Sequence, residues 1–267
     1  MRAPRHRLVP ATTLLLLPLT LSACADPGGV REDPARPDRA TRAASADPVR
    51  EGSVQDDRGG DDRGAARAAA PREIPGLGPR TRAGVPAASR QAVVVRGDAP
   101  DANTSTVTLY ERDPGEGWKP VSDPWPAHNA LKGWTDHHTQ GDLRSPIGVF
   151  TLSDAGGLLD DPGTKLPYDQ GRAFTATGTG VLGEPLAGSF DYVVAIDYNR
   201  EPGTTPLDWT RPLGDERGGG IWLHVDHDGP TQGCVSVEKP RMRELLRWLD
   251  PAKKPVVVMG DVTSLGR

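Results

Sequence analysis

The chain has 267 residues, a formal net charge of −4 and an isoelectric point near 5.9. Because it carries no excess of basic side chains, its composition argues against nucleic acid as a partner. Only two cysteines occur, Cys24 and Cys234. If Cys24 serves another purpose, Cys234 therefore has no disulfide partner.

The N-terminus predicts export. Three arginines precede an apolar stretch over residues 8–21, which is too short to span a bilayer as a stable helix. The stretch ends in Leu-Ser-Ala-Cys24, and this pattern resembles a bacterial lipobox, in which the cysteine becomes the lipidated first residue of the mature protein. We predict a lipoprotein signal peptide over residues 1–23 and lipidation of Cys24. An ordinary signal peptide with an incidental cysteine is the alternative.

Residues 24–72 predict a disordered tether. They are mostly Ala, Arg, Asp, Gly and Pro, and so few apolar side chains cannot offset the entropy lost on folding. A flexible tether of this length has a root-mean-square reach of roughly 35–45 Å. We therefore expect a protein anchored to the outer face of the cytoplasmic membrane and facing the cell wall. In that compartment, the thiol of Cys234 is either buried and inert or reactive and functional.

Residues 73–267 suit one domain. The segments 91–95 and 104–111 are predicted strands, and the turn-forming residues 97–103 join them as a hairpin. Short apolar or alternating segments predict further strands at 149–152, 191–197, 221–225, 234–237 and 255–259.

Helical spacing of apolar residues appears once, between Met242 and Leu249, with Pro240 near the first turn. Long Gly- and Pro-rich loops join the strands, notably 154–169 and 199–219. The fold class predicted is mainly β, with long loops and one or two short helices.

A cysteine and a histidine lie together in the pattern. His224 closes one predicted strand and Cys234 opens the next, so a hairpin would let the two side chains face each other. Gly233 allows close approach of a substrate, and the Gly233 and Cys234 amides are candidate oxyanion donors. The alternatives are a cysteine that is a small buried hydrophobe and a histidine with a structural role.

Two segments carry a family resemblance. Ile-Trp-Leu-His224 followed by Thr-Gln-Gly-Cys234-Val resembles the signature of the YkuD-type L,D-transpeptidase catalytic domain. The segment Gln-Gly-Asp-Leu-Arg-Ser-Pro-Ile-Gly-Val-Phe at 140–150 resembles a second block of that family. The resemblance implies a β-sandwich with a cysteine acyl-transfer site acting on peptidoglycan stem peptides.

The resemblance also implies roles. Cys234 would attack the carbonyl after the third stem residue, release a terminal D-alanine and pass the acyl group to an amine. His224 would be the base, oriented by the backbone carbonyl of Val225. Gln232 would donate a hydrogen bond near the oxyanion, and Thr231 would help to place the loop. Arg144 is a candidate for a stem carboxylate or a solvated charge. No cofactor is expected, because the thiolate supplies the covalent step.

Two departures from the family pattern bear on the reaction. The histidine usual before Gly-Cys is Gln232 here, and the arginine usual two residues after the cysteine is Ser236. Together with the short gap between His224 and Cys234, these two departures resemble the pattern of the YafK-like branch. The acyl acceptor is therefore an amine or water, and an L,D-carboxypeptidase or amidase-type hydrolase is the alternative. A non-catalytic peptidoglycan-binding lipoprotein is another.

Other interpretations carry less weight. His227 and the carboxylates beside it suggest a metal, but side chains crowded into a tight turn diverge, so no metal site is predicted. A cysteine peptidase of the NlpC/P60 type is disfavoured, because there the cysteine precedes the histidine and starts a helix. His137 and His138 are predicted to be polar loop residues rather than cleft residues.

Overall fold

The computed structural model describes residues 72–267. The predictions on the signal peptide, on lipidated Cys24 and on the tether up to residue 71 lie outside the described residues. Within residues 72–267, no helix has both the length and the apolar character needed to cross a membrane.

The domain is mainly β, as predicted, with long loops and short helices. The strands are β1 (Gln91–Gly97), β2 (Thr104–Asp113), β3 (Gly117–Pro120), β4 (Trp125–His128), β5 (Trp134–Thr135), β6 (Ser145–Pro146), β7 (Gly148–Thr151), β8 (Ala155–Gly157), β9 (Tyr168–Gln170), β10 (Val193–Ala195), β11 (Trp222–Val225), β12 (Val235–Val237) and β13 (Val256–Asp261). The α-helices are α1 (Pro79–Gly84), α2 (Lys239–Trp248) and α3 (Val262–Leu265).

Most strands join one curled, mixed sheet, consistent with the predicted β-sandwich. The strand order is β7-β13-β1-β2-β4-β12-β11-β10-β8-β9. β2 is long enough to pair with β4 along one half and with β3 along the other. β5 and β6 form a separate parallel pair.

The core fills both faces of the central strands. In β1, Val93 and Val95 join the larger apolar cluster, whereas Ala92 and Val94 join a smaller cluster on the opposite face. This explains why the strand is a continuous apolar run rather than an alternating one. The larger cluster includes the inward face of α2, which starts beside a proline and buries Met242, Leu245 and Leu246.

The first predicted hairpin is confirmed, since β1 and β2 are antiparallel. The second is wrong, because β11 and β12 are adjacent but parallel. The connection 226–234 does not fold back onto β11. Instead, it runs beside residues 129–131, where the Thr231 amide donates to Asn129 O at 3.0 Å and the Leu131 amide donates to Thr231 O at 3.0 Å.

Candidate active site

The parallel register still places the cysteine and the histidine on one face of the sheet. His224 lies beside Ser236, and Cys234, just before β12, falls opposite Trp222. Residues paired or two apart in register share a face. His224 and Cys234 accordingly line the same cavity, of about 180 Å³. Its other walls are largely apolar and come from residues 180–190 and from the loop before Cys234.

The thiol of Cys234 is held between two backbone groups. The Trp222 amide donates to Sγ at 3.3 Å, and the thiol donates to the Gly220 carbonyl at 3.6 Å. Although the residue as a whole is half-buried, burial of the sulfur raises the thiol pKa to about 11, against a smaller opposite effect of the Trp222 amide. The resting cysteine is therefore a neutral thiol.

His224 is buried and uncharged at neutral pH. Its Nδ1 lies 2.9 Å from the Val225 carbonyl oxygen. Because a carbonyl only accepts, Nδ1 carries the proton and Nε2 keeps its lone pair. Burial lowers the pKa of His224 to about 4, with the Val225 carbonyl acting in the opposite direction. The site therefore pairs a protonated thiol with an imidazole that can accept a proton.

The carbonyl of Cys234 is clamped by two hydroxyl groups. Thr231 Oγ1 donates to it at 2.7 Å, and Ser145 Oγ donates to it at 3.2 Å. The Ala130 amide in turn donates to Ser145 Oγ at 3.0 Å. The second block of the sequence, 140–150, is thus brought against the cysteine loop, a contact that its distance along the chain did not indicate.

A side chain at Gly233 would require Ile221 to move. A Cβ there would lie 2.9 Å from Ile221 Cδ1, and its next neighbours would be the Arg144 carbonyl and the His138 ring. The Gly233 amide donates to Thr231 Oγ1 at 3.3 Å, a long bond that an oxyanion would have to share. Gln232 is exposed and lines the cavity.

Two further side chains considered in the sequence, Arg144 and His138, do not line the cavity. The Arg144 guanidinium donates to Asp101 Oδ1 at 2.9 Å and to Trp134 O at 3.1 Å, and it does not line the cavity. His138 was predicted as a polar loop residue, but it is buried beneath Gly233. His137 is exposed, as predicted.

The residues between the two strands do not form a metal centre. Asp226 Oδ1 accepts from Ser236 Oγ at 2.7 Å and lies 2.9 Å from His128 Nδ1. Among the residues described, no three His, Cys, Asp or Glu side chains are grouped to hold a metal ion. Ser236 is fully buried.

Sequence reasoning assigned no part in the acyl-transfer site to His227 or Glu184. His227 lines the cavity, and its ring is stacked on the ring of His224 with centroids 5.6 Å apart. Glu184 approaches His227 from a loop some 40 residues upstream. The proximity of His227 to His224 in sequence was the only available signal, and nothing in the sequence marks Glu184.

Comparison with known families agrees with the site. The chain matches the family model of the L,D-transpeptidase catalytic domain, YkuD, over residues 101–258. That range covers more than half of the chain and includes the cavity residues. The chain therefore belongs to the YkuD family of L,D-transpeptidases, whose chemistry is acyl transfer on peptidoglycan stem peptides. None of the curated proteins matches the chain significantly.

Proposed function

We propose that the domain performs L,D-transpeptidation with Cys234 as nucleophile and His224 as general base. The observation that carries the proposal is the cavity shared by a protonated thiol and a neutral imidazole whose Nε2 is unprotonated. We further propose that the enzyme works at the cell envelope, exported and held at the outer face of the membrane through lipidated Cys24.

The first step is acylation. His224 Nε2 takes the thiol proton while Sγ bonds to the stem carbonyl carbon, and the same proton then passes to the nitrogen of the departing D-residue as the C–N bond breaks. Because the thiol is neutral at rest, proton removal accompanies attack. In the second step, the acceptor amine attacks the thioester, loses a proton to His224, and Sγ leaves and is protonated.

Backbone groups stabilise the oxyanion in this scheme. The Gly233 and Cys234 amides are the donors, supported by the exposed side chain of Gln232 at the cavity mouth. Thr231 fixes the loop through the Cys234 carbonyl, and Val225 fixes the tautomer of the base. Binding of a stem carboxylate by Arg144 would require its guanidinium to leave Asp101, so we give that residue no part.

A non-catalytic peptidoglycan-binding role is the second candidate. One observation favours it: burial raises the pKa of Cys234 rather than lowering it, as an activated thiolate would require. A hydrolase of the same fold would form the same acyl-enzyme and differ only in using water as acceptor. Assignment to the YafK-like branch stays a prediction.

Intact mass and product analysis test the proposal. The mature chain, with Cys24→Ser so that Cys234 is its only thiol, is incubated with tetrapeptide-stem muropeptides beside a Cys234→Ser version. An adduct on Cys234 with crosslinked dimer is expected. An adduct with trimmed stems alone would indicate a hydrolase. Neither adduct nor product from folded protein would contradict catalysis and favour the binding role.

A further inference from the structure

A second imidazole, that of His227, lines the cavity and has no role in the proposed reaction. The rings of His227 and His224 are nearly parallel, at 8°, with centroids 5.6 Å apart. The side chain of His227 is only 4% exposed. The rings of Phe190 and His224 are in a T-shaped arrangement, with centroids 5.4 Å apart. The ring of His224 therefore packs against two aromatic neighbours.

Glu184 lies behind His227. Its Oε1 is 3.4 Å from His227 Nδ1, and its Oε2 accepts from the Leu182 amide at 2.8 Å. The carboxylate is 10% exposed. Among the described residues, neither Oε1 nor His227 Nδ1 has a hydrogen-bond partner, so the contact between them is electrostatic.

Two glycines make the space for this carboxylate. A Cβ at Gly229 would lie 2.5 Å from Glu184 Oε1, and a Cβ at Gly180 would come closer still. Neither glycine has a positive φ, so the backbone there does not itself demand glycine. A side chain at either position would therefore have to displace Glu184.

Burying a carboxylate and an imidazole with unpartnered atoms is unfavourable, and such groups concentrate at functional sites. We propose that His227 and Glu184 are a positioning pair for His224, in which Glu184 holds His227 and the His227 ring fixes the orientation of the base. This rests on the proposed function of His224. The stacked ring restricts rotation of the imidazole that shares the cavity with the thiol.

The groups that face His224 define what the pair contributes. They are the stacked ring of His227, the T-shaped ring of Phe190, the Val225 carbonyl at Nδ1 and Cys234 in the same cavity. The charge of Asp226 also acts on the imidazole. Burial is the main cause of the low pKa of His224, and His227 lowers this pKa further. Removing the ring of His227 should therefore raise it.

The test compares four variants of the mature chain carrying Cys24→Ser: His227→Phe, His227→Ala, Glu184→Gln and the double variant Glu184→Gln/His227→Ala. His137→Gln is the matched control, because that histidine is exposed. Adduct formation on Cys234 is followed by intact mass as a function of pH, and the His224 ring is titrated by NMR. Circular dichroism verifies folding.

We expect His227→Ala to slow acylation about tenfold or more, since small displacements of a base are costly, and His227→Phe to slow it by no more than about threefold. The double variant should be no slower than His227→Ala, because Glu184 acts through His227. The His224 pKa should rise in His227→Ala, and the acid limb of the pH profile should move up with it.

The proposal is overturned if His227→Ala acylates within about twofold of the parent with an unchanged His224 titration, or if His227→Phe is as slow as His227→Ala. If the parent forms no adduct, the proposed function fails instead. The NMR titration then decides the positioning role by itself, and an unchanged His224 pKa in His227→Ala rejects it.

Discussion

Two buried polar clusters of this domain are built on different principles. In one, Arg200 Nη1 donates to Asp154 Oδ2 at 2.9 Å and to Asp197 Oδ1 at 2.5 Å, while Nη2 donates to the Thr204 carbonyl at 2.8 Å. Asp154 also accepts from the Gly203 amide at 2.8 Å. This paired cluster of Arg200, Asp154 and Asp197 connects the long loop after β10 to the sheet.

The second cluster, called here the cavity cluster, consists of His224, His227, Glu184 and Cys234, and its hydrogen bonding is incomplete. His227 and Glu184 have atoms without hydrogen-bond partners in the part of the chain that is described, and His224 keeps Nε2 unprotonated. The thiol of Cys234 makes only long contacts, with the backbone groups of Trp222 and Gly220. Full pairing offsets the cost of burying a charge, whereas incompletely paired groups leave hydrogen-bonding capacity for a substrate and a moving proton.

Loss of the base should have the largest effect on the cavity cluster. We expect His224→Gln to slow Cys234 acylation by about 10²–10⁴-fold at pH 7. The variant then needs the thiolate, so its rate should rise about tenfold per pH unit toward pH 11. The parent should be flat above about pH 5 and fall as pH drops through about 4. A variant with the parent's pH profile would contradict the role of His224.

Loss of the cation should have the largest effect on the paired cluster. Arg200→Met leaves the buried carboxylates of Asp154 and Asp197 without their cation, which costs about 3–5 kcal/mol of unfolding free energy. Urea unfolding measures the loss, with exposed Arg243→Met as control. Acylation per folded molecule should stay within about twofold of the parent, because the cluster lies outside the cavity. A large loss of acylation per folded molecule would mean that the paired cluster also contributes to activity.

The resting thiol should be unreactive. Its pKa of about 11, against an ordinary value of 9.0, leaves about 100-fold less thiolate at pH 7. Iodoacetamide should therefore alkylate Cys234 about 100-fold more slowly than a free cysteine, and the rate should rise up to about pH 11. Urea-unfolded protein is the control. Fast alkylation of the folded chain at pH 7 would mean that a thiolate is already present.

The smallest effect is expected from crowding Glu184. Gly229→Ala should displace the carboxylate, a flexible group, and so change the unfolding free energy by less than about 1 kcal/mol. Acylation should fall a few-fold through His227. Gly171→Ala is the control, since no atom lies within 4 Å of a Cβ there. Equal rates in the two alanine variants would argue against a role for Glu184.

Local patterns predicted much of the fold. The apolar run of β1, the alternation in β2 and the spacing along α2 are properties of contiguous residues, and the structure confirms these elements. Strands such as β4 and β9 were not predicted, because they are only three or four residues long and partly polar. Such segments become strands only when a neighbouring strand satisfies their backbone groups.

The sequence by itself determined the family, the mainly β class and the two residues proposed for the chemistry, because motif and periodicity reside in adjacent positions. Tertiary structure decided the parallel pairing of β11 with β12 and the diversion of Arg144 to Asp101. It also decided the protonation of the thiol and imidazole and the approach of Glu184 to His227. Desolvation and contact depend on segments far apart in the chain, which only folding brings together.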